Sequence, residues 1–246
     1  NIFVEDTRVS SRLLKHFDIK TYTFSFHEHN EKRTTDKIIN LIKNGKTVAI
    51  LSDAGAPLIS DPGYLLVQRC VREDIPFTVI PGPSSVINSL LLSGLPTDKF
   101  LFNGFLPKKN AAKREIALKL KNSNVTNIFF ESAKRLERTL EIFSEVLSPK
   151  TSIAICREMT KKHETIYRGT PIEILNLLKE NKIKLLGEFV LLLNTNSSFE
   201  KDMKLDENFC RPFLNYLSPT DASKLIAKIT SFSKQEIYKF LVEISK

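Results

Sequence analysis

Two short segments concentrate residues able to hold a small ligand through hydroxyls, carboxylates and free backbone amides. The first is Ile50-Leu51-Ser52-Asp53-Ala54-Gly55-Ala56-Pro57-Leu58-Ile59-Ser60-Asp61-Pro62-Gly63, and the second is Pro81-Gly82-Pro83-Ser84-Ser85. Each follows an aliphatic or β-branched run, Val48 to Leu51 and Phe77 to Ile80, that reads as a buried parallel strand. Ligands of open α/β sheets bind where such strands end, so two adjacent strand ends are expected to face one cleft. Serine hydroxyls and unpaired N–H groups at a helix start suit a carboxylate there. Of the 8 glycines, Gly55, Gly63, Gly82, Gly94 and Gly104 fall within one fifth of the chain's length, where backbone must turn tightly or approach a ligand. Neither G-x-G-x-x-G nor G-x-x-x-x-G-K-[ST] occurs, so a dinucleotide fold and a P-loop hydrolase lose their main signal.

Other residues could move protons or meet phosphates. Glu131 follows Phe130 at a predicted strand end and is the first candidate proton acceptor, with Lys161 and Asp53 behind it; a carboxylate in that position also serves as a helix cap. His27, His29, Asn30 and Glu31 resemble a metal cluster, but their spacing fits a strand-end loop, and no metal is expected. Cys70, Cys156 and Cys210 form no C-x-x-C pair, which argues for a reducing cytoplasm and against a disulfide frame or zinc site. Cys156 sits in an apolar run and reads as core. The formal charge is +9, whereas residues 199–246 carry eight Lys or Arg against seven Asp or Glu, so the excess lies upstream. Lys108, Lys109, Lys113, Arg114, Lys119 and Lys121, with Arg157, Lys161, Lys162 and Arg168, supply a field suited to a phosphodiester backbone.

The elements that must position these residues alternate between the two periodicities. At 246 residues, 41% hydrophobic and 26% charged, the chain suits two modest α/β domains, and no run of 18 apolar residues predicts a membrane span. Residues 1–106 predict a mostly parallel sheet, with strands near Thr21–Phe26, Val48–Leu51, Phe77–Ile80 and Phe100–Asn103. Pro107-Lys108-Lys109-Asn110 reads as the linker to a second α/β domain over 107–196, with strands near 127–130, 151–156 and 189–194. Thr170-Pro171-Ile172-Glu173 is a capping box with proline at the first helical position. Residues 197–246 predict a small helical, helix-turn-helix-like tail, opened by Ser218-Pro219-Thr220-Asp221 and, after a Thr230-Ser231-Phe232 turn, by Ser233-Lys234-Gln235-Glu236. Leu225, Ile226 and Ile229 form one apolar stripe there, and Ile237, Phe240, Leu241 and Ile244 the next.

Taken in order, S-D-A-G-x-P-L-I-x-D-P-G, P-G-P-S-S and the early Glu5-Asp6-Thr7-Arg8 resemble the ribosomal RNA small-subunit methyltransferase I family, of tetrapyrrole-methylase fold. The likeness continues through Asn103-Gly104-Phe105-Leu106-Pro107, Phe130-Glu131-Ser132 with Arg135, Cys156-Arg157-Glu158-Met159-Thr160-Lys161 and Gly187-Glu188-Phe189-Val190-Leu191. It implies methylation of the ribose 2′-hydroxyl of a cytidine in the decoding centre of 16S rRNA, with S-adenosylmethionine as donor. It implies a parallel-sheet first domain and a mixed-sheet second domain. Asp53, Ala54, Gly55, Pro57, Ser84 and Ser85 would hold the cofactor, and Phe130, Arg157, Gly187 and Glu188 would close the pocket from the second domain. Arg8, His29, Asn30, Lys108, Lys109, Arg135 and Lys161 fall to the RNA side. Partners implied are 16S rRNA or the assembled small subunit, and a second copy in a homodimer. The family opens with a strand and a Gly-containing loop, about 30 residues or one strand-and-helix unit, whereas this sequence begins at Asn1 close to E-D-T-R.

Two alternatives stay open. A macrocycle methylase of the same fold would share the cleft, though S-D-A-G-x-P in place of a G-D-P loop, E-D-T-R and the tail oppose it. A non-catalytic RNA-binding or assembly factor would bind RNA without cofactor.

Overall fold

The computed structural model describes residues 1–195, 205–230 and 232–245. The chain divides into two compact units, 1–198 and 199–246. The expected boundary at 196/197 and Ser231 of the Thr230-Ser231-Phe232 turn lie outside the described residues.

The first unit contains two sheets. Strands β1 (Ile2–Val4), β2 (Thr23–Ser25) and β3 (Ala49–Leu51) are all parallel, in the order β2-β1-β3. Helices α1 (Thr7–His16) and α2 (Glu31–Lys43) make the crossovers, and α3 (Tyr64–Arg72) follows β3. Phe3, Phe26, Ile38, Ile39, Leu66 and Cys70 form the core between them. Parallel order with helical crossovers puts the C-terminal ends of β1 and β3 side by side, which brings Glu5 and Ser52 to one edge.

One expected strand is absent. Phe77–Ile80 has no ladder among the described residues, and its side chains point to solvent, Val79 at 77% and Ile80 at 87% exposure. Its aliphatic pattern is that of a buried strand, but it forms no ladder with the open edge of β3, which pairs only with β1 among the described residues. A second correction concerns the run at Phe100. It forms β4 (Phe100–Phe105), which belongs to the second sheet through its parallel pairing with β5 (Thr126–Ser132), and not to the first.

That second sheet is mixed, ordered β4-β5-β8-β6-β7 with β6 (Ser152–Arg157), β7 (Thr165–Gly169) and β8 (Glu188–Asn194); only β4 and β5 run parallel. On one face α5 (Asn110–Leu120), α6 (Ala133–Val146) and α7 (Pro171–Lys179) bury Phe129, Ile153, Ile155, Leu191 and Leu193. Helix α4 (Ser85–Ser93) packs against β6, β7 and β8, where Cys156, Val190 and Leu192 are buried in turn. Burial on both faces explains the unbroken apolar run Phe189–Leu193. Arg168 of β7 donates to the carbonyls of Leu92 (Nη2) and Ser93 (Nε, 3.1 Å), capping α4 from across the sheet. The α7 capping box forms as expected, Thr170 Oγ1 accepting from Glu173 N while Glu173 accepts from Thr170 N.

The second unit packs α8 (Glu207–Leu214), α9 (Pro219–Ile229) and α10 (Lys234–Ile244) around Cys210, Ala222, Ile226, Ile237 and Leu241. Ser218 and Ser233 cap α9 and α10 as expected. In α9 the buried stripe is Ala222 and Ile226, while Leu225 and Ile229 are exposed, because α8 and α10 meet a different face than the apolar pattern suggested.

Candidate functional site

A crevice opens at the C-terminal edge of the first sheet, lined by Glu5 after β1, Phe26 after β2, Leu51 at the end of β3 with Ser52 after it, and Pro57 and Asp61 of the loop that follows. Ser52 Oγ donates to Asp61 Oδ2 at 2.5 Å, fixing the carboxylate across the loop. The loop holds residues in positive φ, Gly55 at 75°, Leu58 at 70°, Ser60 at 65° and Gly63 at 131°. Non-glycine residues in that region cost free energy that surrounding contacts must offset, a pattern common where backbone is shaped around a ligand. Glu31 provides one such contact, its Oε1 accepting from Gly63 N at 2.8 Å and Leu65 N at 3.1 Å at the start of α3. A Cβ on Gly55 would lie 3.9 Å from Ser85 N, so the two expected loops do meet, and Ser84 caps α4 by accepting from Ile87 N.

Asp53 turns toward the Glu5-Asp6-Thr7-Arg8 turn, its Oδ1 accepting from Asp6 N at 3.3 Å and Ser10 Oγ at 3.5 Å. Asp6 caps α1 and grips Arg8 with both oxygens, which holds its carboxyl down at about 2. The Arg8 side chain is otherwise 89% exposed. Glu5 behaves oppositely: burial, then the charges of Asp61 and Asp53, raise its carboxyl above the ordinary range. Asp61 is raised too, by burial first and by Asp53 and Glu188, against the lowering bond from Ser52.

The charge of Glu188 reaches Glu5 and Asp61 from the second sheet, whose facing edge carries Arg157, Glu158, Lys161, Gly187 and Glu188. Arg157 is buried and spent on the backbone, Nε donating to Leu186 O at 2.6 Å and Nη1 to His163 O at 3.3 Å. It staples the 158–164 turn to residues 184–187. Glu158, at φ 52°, accepts from Glu188 N at 2.9 Å and from Lys161 Nζ at 3.2 Å. Lys161 also reaches Glu188 Oε2 at 2.8 Å; burial opposes its charge, but these carboxylates outweigh it and raise its proton affinity, so it stays an ammonium. Buried Cys156 is no nucleophile, its thiol pushed up to about 11 chiefly by burial.

Several expected residues lie elsewhere. Glu131 is buried with all its acceptor positions taken, by Ser132 N, Arg135, Lys113 and Thr139, and offers no free lone pair to a substrate proton. Lys113, counted in the basic surface, is 1% exposed, because it is the partner of that carboxylate. Asn30 spends its amide on His27 N, Ser25 O and Ser25 Oγ, while His29 is exposed beside it. Phe130 packs edge-on against Phe102 and Phe105 of β4. Lys108 and Lys109 are exposed ahead of α5. Glu5 and Asp61 stand inside the recognised motifs, but only the juxtaposition of β1 and β3 shows that they share a crevice.

A family model described as Tetrapyrrole (Corrin/Porphyrin) Methylases matches residues 1–174. The chain is 37% identical over 245 residues to the "Ribosomal RNA small subunit methyltransferase I" of Vibrio cholerae, covering 98% of this chain and 85% of that protein. It is 40% identical to the protein of that name from Rickettsia prowazekii, covering 96% and 85%. The chain belongs to the ribosomal RNA small subunit methyltransferase I family. Among solved structures, a cobalt precorrin-4 methyltransferase superposes with a TM-score of 0.52 at 16% identity, over 78% of this chain and 82% of that one, which shows the tetrapyrrole-methylase fold. The family consists of S-adenosylmethionine-dependent methyltransferases. The Glu5 and Asp61 carboxylates that line the crevice have the chemistry to meet ammonium, hydroxyl and sulfonium groups such as that cofactor carries. Among the described residues no group of three His, Cys, Asp or Glu could hold a metal ion, and no helix is long and apolar enough to cross a membrane.

Proposed function

We propose that the chain methylates the ribose 2′-hydroxyl of a cytidine in small-subunit ribosomal RNA, using the crevice between β1, β3 and the Glu188 edge. The observation that carries this reading is the meeting of the two loops, Gly55 beside Ser85, in a chain of this family whose first loop also supplies Asp61 to the crevice with Glu5. Bound S-adenosylmethionine supplies a methyl group on a positively charged sulfur, already activated for in-line displacement. The protein's share is therefore orientation, water exclusion and removal of one proton. Asp61, Pro57, Gly55, Ser84 and Ser85 hold the cofactor, and Asp53 fixes the E-D-T-R turn against that loop. Arg157 and Lys161 shape the opposite wall from the second sheet rather than touching the cofactor. Glu5, with its raised proton affinity and its place in the crevice lining, replaces Glu131 as the carboxylate that takes the hydroxyl proton. Arg8, Lys108, Lys109 and Arg135 face the RNA backbone, whose phosphates position the strand while the 2′-hydroxyl marks it as RNA. The homodimer belongs to this reading as well.

The test is methyl transfer from labelled S-adenosylmethionine to a 16S rRNA transcript and to assembled small subunits, with the modified ribose located by primer extension. Glu5→Gln should lower kcat about 10²-fold while cofactor affinity measured by calorimetry moves little. A folded chain that binds no S-adenosylmethionine sinks the reading.

A further inference from the structure

The chain buries a three-residue ion cluster that proton transfer does not use. Lys113 and Glu131 side chains are 1% and 0% exposed, with Lys113 Nζ 2.8 Å from Glu131 Oε2. Thr139 Oγ1 donates to the same oxygen at 2.8 Å and accepts from Lys113. The other oxygen, Oε1, takes Ser132 N at 2.8 Å and Arg135 Nη2 at 2.6 Å. Two cations surround one carboxylate, so the cluster is net positive. Apolar residues of similar volume usually stabilise as well as a buried ion pair does, so packing alone does not account for this one. Its single outlet is Arg135, in the first turn of α6 and 24% exposed. A guanidinium has five N–H donors. Nε is held by Ser132 Oγ at 3.0 Å and Nη2 is ion-paired with Glu131 Oε1 at 2.6 Å, which leaves at least three donors with no partner among the described residues. Ser132 lies opposite Glu188 in the β5–β8 register, so this fork stands on the sheet edge that carries Lys161 and Glu188.

We infer that Lys113 and Glu131 are positioning residues that hold Arg135 as a fixed three-donor fork for a phosphate of the RNA strand. This rests on the RNA-methylating reading above. A planar guanidinium pinned on one side presents paired donors to phosphate oxygens, which a lysine cannot imitate.

The experiment measures affinity of the full chain for a 16S rRNA transcript across salt concentrations, with S-adenosylmethionine affinity as a control. Arg135→Ala is expected to weaken RNA binding about tenfold and to reduce the salt slope by about one. Arg135→Lys should restore the slope but not the affinity, and neither should move cofactor affinity. Lys113→Met should weaken RNA binding to the Arg135→Ala level, and the double variant should be no weaker than Arg135→Ala alone. Losses that multiply in the double variant overturn the positioning role. Unchanged RNA affinity in Arg135→Ala, or full affinity in Arg135→Lys, overturns the fork even where Lys113→Met does not fold. A parent chain that binds cofactor but no RNA removes the RNA reading and this inference together.

Discussion

At Gly187 the backbone takes φ +89°, and a Cβ there would lie 2.4 Å from Oε1 of Glu158, the carboxylate that receives Glu188 N and Lys161. Gly187→Ala should therefore cost about 2 kcal/mol, from backbone strain and from displacing Glu158, and should lower the thermal midpoint by several degrees. Glu5 and Asp61 make a pH-dependent prediction. Their carboxyls hold protons more tightly in the native chain than in the unfolded one, so the stability they contribute is full below the ordinary carboxylate range. It is lost as pH rises through the raised native values. Asp61→Asn should then stabilise the chain at neutral pH by less than about 1 kcal/mol given solvent screening, seen as a higher melting temperature, and leave the melting temperature unchanged near pH 3. A melting curve at each pH decides it, and equal gains at both would refute the burial account.

Local chemistry made some elements legible and left others hidden. The capping boxes at Thr170 and Ser233 read directly from sequence because their donors and acceptors lie three residues apart. Phe77–Ile80 carries the same aliphatic pattern as Val48–Leu51, yet pattern does not report whether a neighbouring strand exists to bond it. An apolar dye should bind this exposed run, and Val79→Lys with Ile80→Glu should abolish the signal without lowering stability, since neither side chain is buried. Strand β7, Thr165–Gly169, escaped because a short edge strand whose residues are only partly buried carries no continuous apolar run. Lys113 was misread as surface because its partner is 18 positions away, beyond any helical spacing. The meeting of the two loops was legible from their order after two aliphatic runs, whereas the burial of Glu131 was not, since burial is a property of the assembled sheet.

For the molecule as a whole, the +9 charge is distributed less simply than the count of lysines suggests. Arg114 pairs with Glu145, Lys119 with Glu115, and Lys113 is interior, which leaves Lys108, Lys109 and Lys121 as the exposed cations of that segment with no ion pair among the described residues. RNA affinity should fall steeply between about 50 and 200 mM salt while cofactor affinity stays nearly constant, because only the former releases counterions. Parallel salt dependence of both, measured by titration, would contradict this division. Helix α4 adds a constraint of another kind. It follows the first sheet in sequence but is covered by strands of the second, and β8 begins only at residue 188, long after α4 ends at residue 93. During synthesis at roughly 5–20 residues per second, its apolar face must wait on the order of 5–20 s for that cover. A nascent chain stalled before residue 188 should thus be a client of holding chaperones, and one released after β8 has emerged should not.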